Sequence, residues 1–230
     1  DHYFDQSLAL EPEEFPAYVF KSLNILNWTG NLQQSRAILE SSPLQTNMVL
    51  KVALYWQHIY ERDYRGALDQ LRGLPDNIVS LTLNMMPREL LSGYAYQLMG
   101  DSKQARSSYE SALTLIEAVV RERPKAGNAH SALGLIYAGL ERKGDAIRAG
   151  RRGLELCSND ALAYPLREWE LVQILLLLGE NDEALDHIEH LLSVPSQISA
   201  QYLKIDPVVD PLRDSPRFRR IIDRYSDGEP

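Results

Sequence analysis

Two histidines three residues apart, His187 and His190 in "DHIEH", have the spacing best suited to metal chemistry. On a helix they share a face, with Glu183 one turn earlier, and two imidazoles with a carboxylate make a zinc-type donor set. The competing reading is a solvated polar face opposite Ile188, Leu191 and Leu192. The chain has no H-E-x-x-H and no Cys/His cluster, so the solvated face is adopted and no metal is expected. A second group is cationic. Arg148, Arg151 and Arg152 share one helical face in "RKGDAIRAGRRG" and form a candidate anion-docking face for an acidic segment or a phosphorylated partner. Against this stands pairing with the neighbouring Glu141, Asp145 and Glu155. The single cysteine, Cys157, has no histidine partner nearby in sequence and reads as a structural thiol. Gly-rich phosphate loops and the G-x-S-x-G elbow are absent. No catalytic residue, cofactor or enzymatic activity is therefore expected.

Composition narrows the partners. The 230 residues carry a formal net charge of −8, which disfavours nucleic acid, because that binding rests on Lys and Arg displacing counterions from phosphates. The most apolar run, "LVQILLLLG" at 171–179, is half the length that crosses a bilayer, so no direct membrane insertion is expected. One cysteine excludes an internal disulfide. None of this decides the compartment.

What must position any site is a repeated helical pattern. Ala67, Ala105, Ala146 and Ala184 each follow a polar turn and open an amphipathic stretch, at spacings of 38, 41 and 38 residues. Gly93 and Tyr96 precede Ala105 by the same intervals as Gly134 and Tyr137 precede Ala146, and Ala112 and Gly153 lie equally far beyond. Antiparallel helices approach closest where side chains are smallest. Gly93 is thus expected to meet Ala105 across a helical hairpin, with Tyr96 filling space beside the contact. Prolines 12, 43, 75, 87, 124, 165 and 195 fall between the helical stretches, and no segment alternates as a strand would. The fold class is all-α.

The segments "SGYAYQLMGDSKQARSSYESAL" and "LGLIYAGLERKGDAIRAGRRGLEL" resemble the tetratricopeptide repeat, with "WELVQILLLLGENDEALDHIEHLL" as a degenerate copy and "ALYWQHIYERDYRGALDQLRGLP" as a weaker one. The resemblance implies a right-handed α-solenoid of helix–turn–helix repeats. Residues 1–230 are read as one such domain. A half repeat spans 1–12. Helix pairs span 15–43, 46–75, 88–123, 127–157 and 164–194, and a C-terminal cap covers 203–226. Because "YFDQSLALEP" looks like a second helix without its partner, the solenoid is expected to have continued upstream. The tail "SVPSQISAQYLKIDPVVDPLRDSPRF" is similar to the ends of repeat modules in bacterial signalling proteins, among them transcriptional regulators, cyclases and kinases.

A solenoid of this kind implies a concave groove lined by the first helix of each pair. A quarter-turn from the Gly–Tyr face, the positions are Val52, Trp56 and Tyr60; Leu90, Tyr94 and Gln97; Ser131 and Leu135; Trp169 and Gln173. Aromatic anchors with amides suit a protein or peptide partner laid in the groove as an extended strand or a helix. Burial between repeats is the competing reading, above all for Trp56 and Trp169. Related modules that grip the acidic tails of chaperones place a cationic clamp on this surface. Here Leu90, Ser131 and Trp169 stand in those places, which argues against that class of partner. The expectation is a non-catalytic interaction scaffold. Homo-oligomerisation through exposed solenoid ends, particularly Tyr3–Leu10, is the alternative, and a small-molecule sensor ranks below it.

Overall fold

The computed structural model describes residues 2–75, 79–81 and 84–226. The described chain is helical apart from one short antiparallel hairpin, β1 (Val79–Leu81) and β2 (Asn84–Met86), in which Ser80 pairs with Met85. The helices are α1 (His2–Leu10), α2 (Phe15–Thr29), α3 (Leu32–Glu40), α4 (Met48–Tyr60), α5 (Tyr64–Leu71), α6 (Arg88–Leu98), α7 (Ser102–Glu122), α8 (Gly127–Gly139), α9 (Lys143–Leu156), α10 (Ala163–Leu177), α11 (Asn181–Ser193), α12 (Ala200–Ile205) and α13 (Pro216–Ser226). A 3₁₀ turn, Pro207–Leu212, precedes the last.

The same local chemistry makes each helical hairpin. A helix leaves its last carbonyls without partners, and a residue in the left-handed region closes them and reverses the chain. That residue is Gly30, Arg62, Gly100, Glu141 or Gly179, and in each case the next residue is the N-cap of the following helix. Asn31, Asp63 and Asp101 complete the cap, their side chains accepting from the backbone N–H of Gln34, Gly66 and Gln104. Ala67, Ala105, Ala146 and Ala184 sit one turn inside the second helices, and all four are buried.

Contacts divide the chain into two compact units. The first comprises residues 1–74 together with Ser199–Pro207. In it α2 packs on α3, α3 on α4 and α4 on α5, and α12 lies against α2. Its core gathers Val19, Leu39, Leu50 and Leu54. A buried polar chain threads it: the hydroxyls of Ser22 and Ser35 are 2.7 Å apart, Ser35 donates to Gln57 Oε1 (2.7 Å), and Gln57 Nε2 donates to the Leu32 carbonyl (2.8 Å). The Ser22, Ser35 and Gln57 side chains thus satisfy one another and the Leu32 carbonyl, which removes most of their desolvation cost.

The second unit holds 75–198 and 208–230. Here α6 packs on α7, α7 on α8, α8 on α9, and α10 on α8, α9 and α11. One of its core clusters includes Tyr109, Ile116, Ala132 and Ile136. Phe218, Ile221 and Ile222 are the buried face of α13, which packs on α11. Arg217 and Arg224 of α13 reach Asp186 (2.5 Å) and Glu189 (2.7 Å) of α11.

Small residues set the helix spacing, with one correction to the sequence reading. A Cβ on Gly134 would stand 2.9 Å from the Gly150 nitrogen and 3.1 Å from the Ala146 carbonyl, so α8 meets α9 backbone to backbone at that point. Gly93, by contrast, faces Tyr109, whose ring would be 2.8 Å from an added Cβ. Gly139 at the end of α8 abuts the other edge of the same ring. The aromatic that fills the space is therefore Tyr109 of α7, gripped between glycines of α6 and α8, while Tyr96 packs at the edge of that core.

Candidate functional site

The expected groove residues divide sharply by accessibility. Val52, Tyr60, Leu90, Ser131, Trp169 and Gln173 are buried, whereas Trp56, Tyr94, Gln97 and Leu135 keep part of their surface. The buried ones have distinct reasons. Helix α10 is enclosed by α8, α9 and α11, and every residue from Arg167 to Leu176 is buried, which takes Trp169 and Gln173 out of reach of a partner. Ser131 lies where α8 and α9 touch, its hydroxyl against Gly153. Leu90 joins the core that Met85 of β2 covers. Val52 is enclosed in the first unit.

Tyr60 is already occupied. Its ring meets the edge of Tyr202 of α12, with centroids 5.6 Å apart at 82°. Tyr202 donates its hydroxyl proton to Asp206 Oδ2 (2.7 Å), so Tyr60, 3.1 Å away, is the donor to the Tyr202 oxygen. Burial, with the Asp206 charge adding to it, pushes both phenols far above their usual range, so they act as neutral hydrogen-bonding groups. Trp56 stacks on Tyr60 (6.2 Å, 24°) and meets Tyr55 edge-on. In the second unit Gln97 accepts from Tyr109 (2.7 Å) and so orients the ring between the two glycines. Of the expected groove positions, Tyr94 on α6 and Leu135 on α8 stay half-buried.

The cationic face pairs internally. Arg148 contacts Asp145, Arg152 reaches Glu155 (2.7 Å), and Arg151 crosses to Glu183 of α11 (2.7 Å). Glu183 is thus engaged away from the histidines. The carboxylate that meets them is Glu168 of α10, buried, with His187 Nδ1 at 2.8 Å from Oε1 and His190 Nδ1 at 2.9 Å from Oε2. Nothing in the sequence signalled this, because Glu168 lies a helix away. The contact fastens α11 to α10 through a shared carboxylate. Among the described residues no group of three or more His, Cys, Asp or Glu has the arrangement of a metal site. Cys157 packs against Gly127, and burial pushes its thiol up, which lowers its nucleophilicity.

One titratable group is unusually placed. Glu170 of α10 is buried beside Arg167 (3.1 Å) and Ser131. Desolvation pushes its carboxyl up to about 7 from an ordinary 4.5, with Arg167 and the Ser131 hydroxyl pulling the other way. A carboxyl whose folded pKa is raised binds its proton more tightly in the native state. Its stabilising contribution is full below about 4.5 and is lost as pH rises through about 7. The stability of the wild type relative to Glu170→Gln should therefore fall between those values, by up to about 3 kcal/mol, and then level off. Urea denaturation at pH 4.5, 6 and 8 reads this, and a flat difference would show that Arg167 keeps Glu170 ionised throughout.

Among the described residues, no helix is long and apolar enough to cross a membrane. A comparison with curated proteins found no match. Residues 89–159, which span α6 to the end of α9, match the tetratricopeptide repeat family. Repeats of this kind generally mediate protein–protein interaction. The helical hairpins that pack consecutively over these residues agree with that match: residues 89–159 carry a tetratricopeptide repeat module.

Proposed function

We propose that this protein is a non-catalytic scaffold that binds a protein segment, a peptide or a helix, on the first helices of its repeats. The observation that carries the reading is the match over residues 89–159, together with the partial exposure of Trp56, Tyr94, Gln97 and Leu135 at positions a quarter-turn from the packing face. Aromatic side chains with two χ angles lose little entropy on contact and make good anchors. The binding needs no chemistry, only mass action on a largely preformed surface. The similarity of the C-terminal tail to repeat modules of bacterial signalling proteins supports reading the scaffold as part of a larger regulatory protein. Arg148, Arg151 and Arg152 would then be a secondary anion-docking face that exchanges internal carboxylates for those of a partner.

Affinity capture with the wild-type chain, followed by titration of the recovered protein in purified form, tests this. Trp56→Ala and Tyr94→Ala should each weaken that binding by tenfold or more while helical content is kept, as truncation of an anchor typically costs about 2 kcal/mol. Unchanged affinity in both variants would remove these helices from the account.

A second reading is favoured by a separate observation. Tyr3 and Leu10 of α1 are 83% and 82% exposed, and Phe20 and Trp28 of α2 are both 59% exposed. Large apolar side chains this open in one unit suit a second copy of the chain. Light scattering over a concentration series separates self-association from binding of a different partner.

A further inference from the structure

The first unit is completed by a piece of chain from far along the sequence. Ser199–Pro207 belongs to it, although more than a hundred residues separate this segment from Leu74. Helix α12 has only six residues, yet it is fixed at several points. Ser199 caps it by accepting from the Tyr202 N–H and donates its own proton to the Asn27 carbonyl of α2 (2.6 Å). Gly30 lets the α12 backbone approach: a Cβ there would stand 3.4 Å from the Gln201 carbonyl. Ala200, Tyr202 and Leu203 are buried, and Asp206 is 1% exposed while accepting the Tyr202 hydroxyl.

These are the attributes of a bound ligand. A six-residue helix does not hold its shape in water, because nucleation costs more than one turn returns. Its shape therefore comes from the surface beneath it. The chain also leaves it on both sides through non-helical backbone: Ser199 is extended, and Asp206 turns to ψ 122 before Pro207. What it covers includes Tyr60, one of the positions expected from sequence to face a partner, with Trp56 stacked on it.

We propose that the surface formed by the C-terminal ends of α2 and α4 is a receiving site for a short helix with a tyrosine and, four residues on, a carboxylate, and that α12 fills it in the free chain as a built-in competitor. The inference rests on the partner-binding reading above and names the segment this part of the surface takes. The tyrosine ring packs edge-on to Tyr60, its hydroxyl accepts a hydrogen bond from Tyr60, and the carboxylate accepts that hydroxyl's own hydrogen bond, so neither buried donor is left unpaired. A tethered competitor acts at an effective concentration in the millimolar range, so an outside helix binds weakly until α12 is released.

The test uses the full 230-residue chain and a labelled peptide with the sequence of residues 198–207, ISAQYLKIDP. Fluorescence anisotropy should show Tyr202→Ala binding this peptide at least tenfold more tightly than the wild type, because the site is freed of its anchor. The same peptide with its tyrosine changed to alanine should not bind. A Tyr202→Ala chain with wild-type helical content and no gain in affinity overturns the proposal. Where that variant fails to fold, hydrogen exchange on the wild type decides. Amides of α12 should exchange at least tenfold faster than those of Leu54–Ile59 in α4, and exchange at one common rate shows a permanent core element instead. Loss of partner capture in Trp56→Ala and Tyr94→Ala does not depend on either result, so a failure here leaves the scaffold reading standing.

Discussion

Tyr109→Ala should destabilise the second unit by about 3–5 kcal/mol, the usual cost of emptying a buried aromatic site. The expectation rests on what surrounds the ring. Tyr109 is 1% exposed and belongs to a core cluster with Ile116, Ala132 and Ile136. Gly93 on α6 and Gly139 on α8 close on its two edges, and Gln97 accepts from its hydroxyl. Two glycine backbones cannot move inward to fill the void, since the helices that carry them are held apart by the rest of α7. The cavity therefore stays open, and cavity volume adds to the lost transfer energy. Tyr109→Phe removes only the bond to Gln97 and should cost about 1 kcal/mol. Urea midpoints of the three proteins measure the difference. Equal losses in the two variants would mean that the hydroxyl, and not the ring, holds α6 to α8.

Gly134→Leu should cost about 3 kcal/mol, at the upper end for overpacking. A glycine inside a helix is normally a weakness, and alanine there gains up to about 1 kcal/mol. At Gly134 that sign reverses. An added Cβ meets Ile174 Cδ1 at 2.6 Å, which can swing aside, but also the Gly150 nitrogen and the Ala146 carbonyl, which are backbone and cannot. Gly134→Ala already forces α8 from α9, and leucine forces it further. The internal control is Gly144 on α9, where a Cβ would approach only the end of the Arg148 side chain, at 3.3 Å. Gly144→Ala should raise the melting temperature. An unshifted curve for Gly134→Leu would count against the close contact of α8 with α9.

Both predictions turn on residues that the repeat pattern singled out, and they mark how far sequence reaches. The exchange of Tyr96 for Tyr109 beside Gly93 is instructive. Both tyrosines are correctly spaced to share a helical hairpin, and both lie within reach of the glycine along the chain. Tyr109 is the ring that enters, and Gly139 of α8, distant from Gly93 in sequence, leaves room for its other edge. The groove residues divide for a similar reason. An apolar position on a first helix has the same periodicity whether it lines an open surface or packs on the next hairpin. Trp169 and Gln173 are buried because α10 has neighbours on several sides, a property of α8, α9 and α11 together. The pairing of Glu168 with His187 and His190, and that of Tyr60 with Tyr202, leave no mark within any window of sequence, since each partner lies on a separate element.

By itself the sequence determined the all-α class, the repeat family over its central part, and the small residues that let helices touch. Those features are local: a turn, a cap and a glycine facing the next helix are fixed by residues within about forty positions of one another. The tertiary structure decided which aromatic fills each gap, which of the expected groove residues are buried, and that Tyr202 packs on Tyr60. These depend on contacts between elements distant in sequence, where the free energy of burial is settled by the whole packed unit and not by any helix alone.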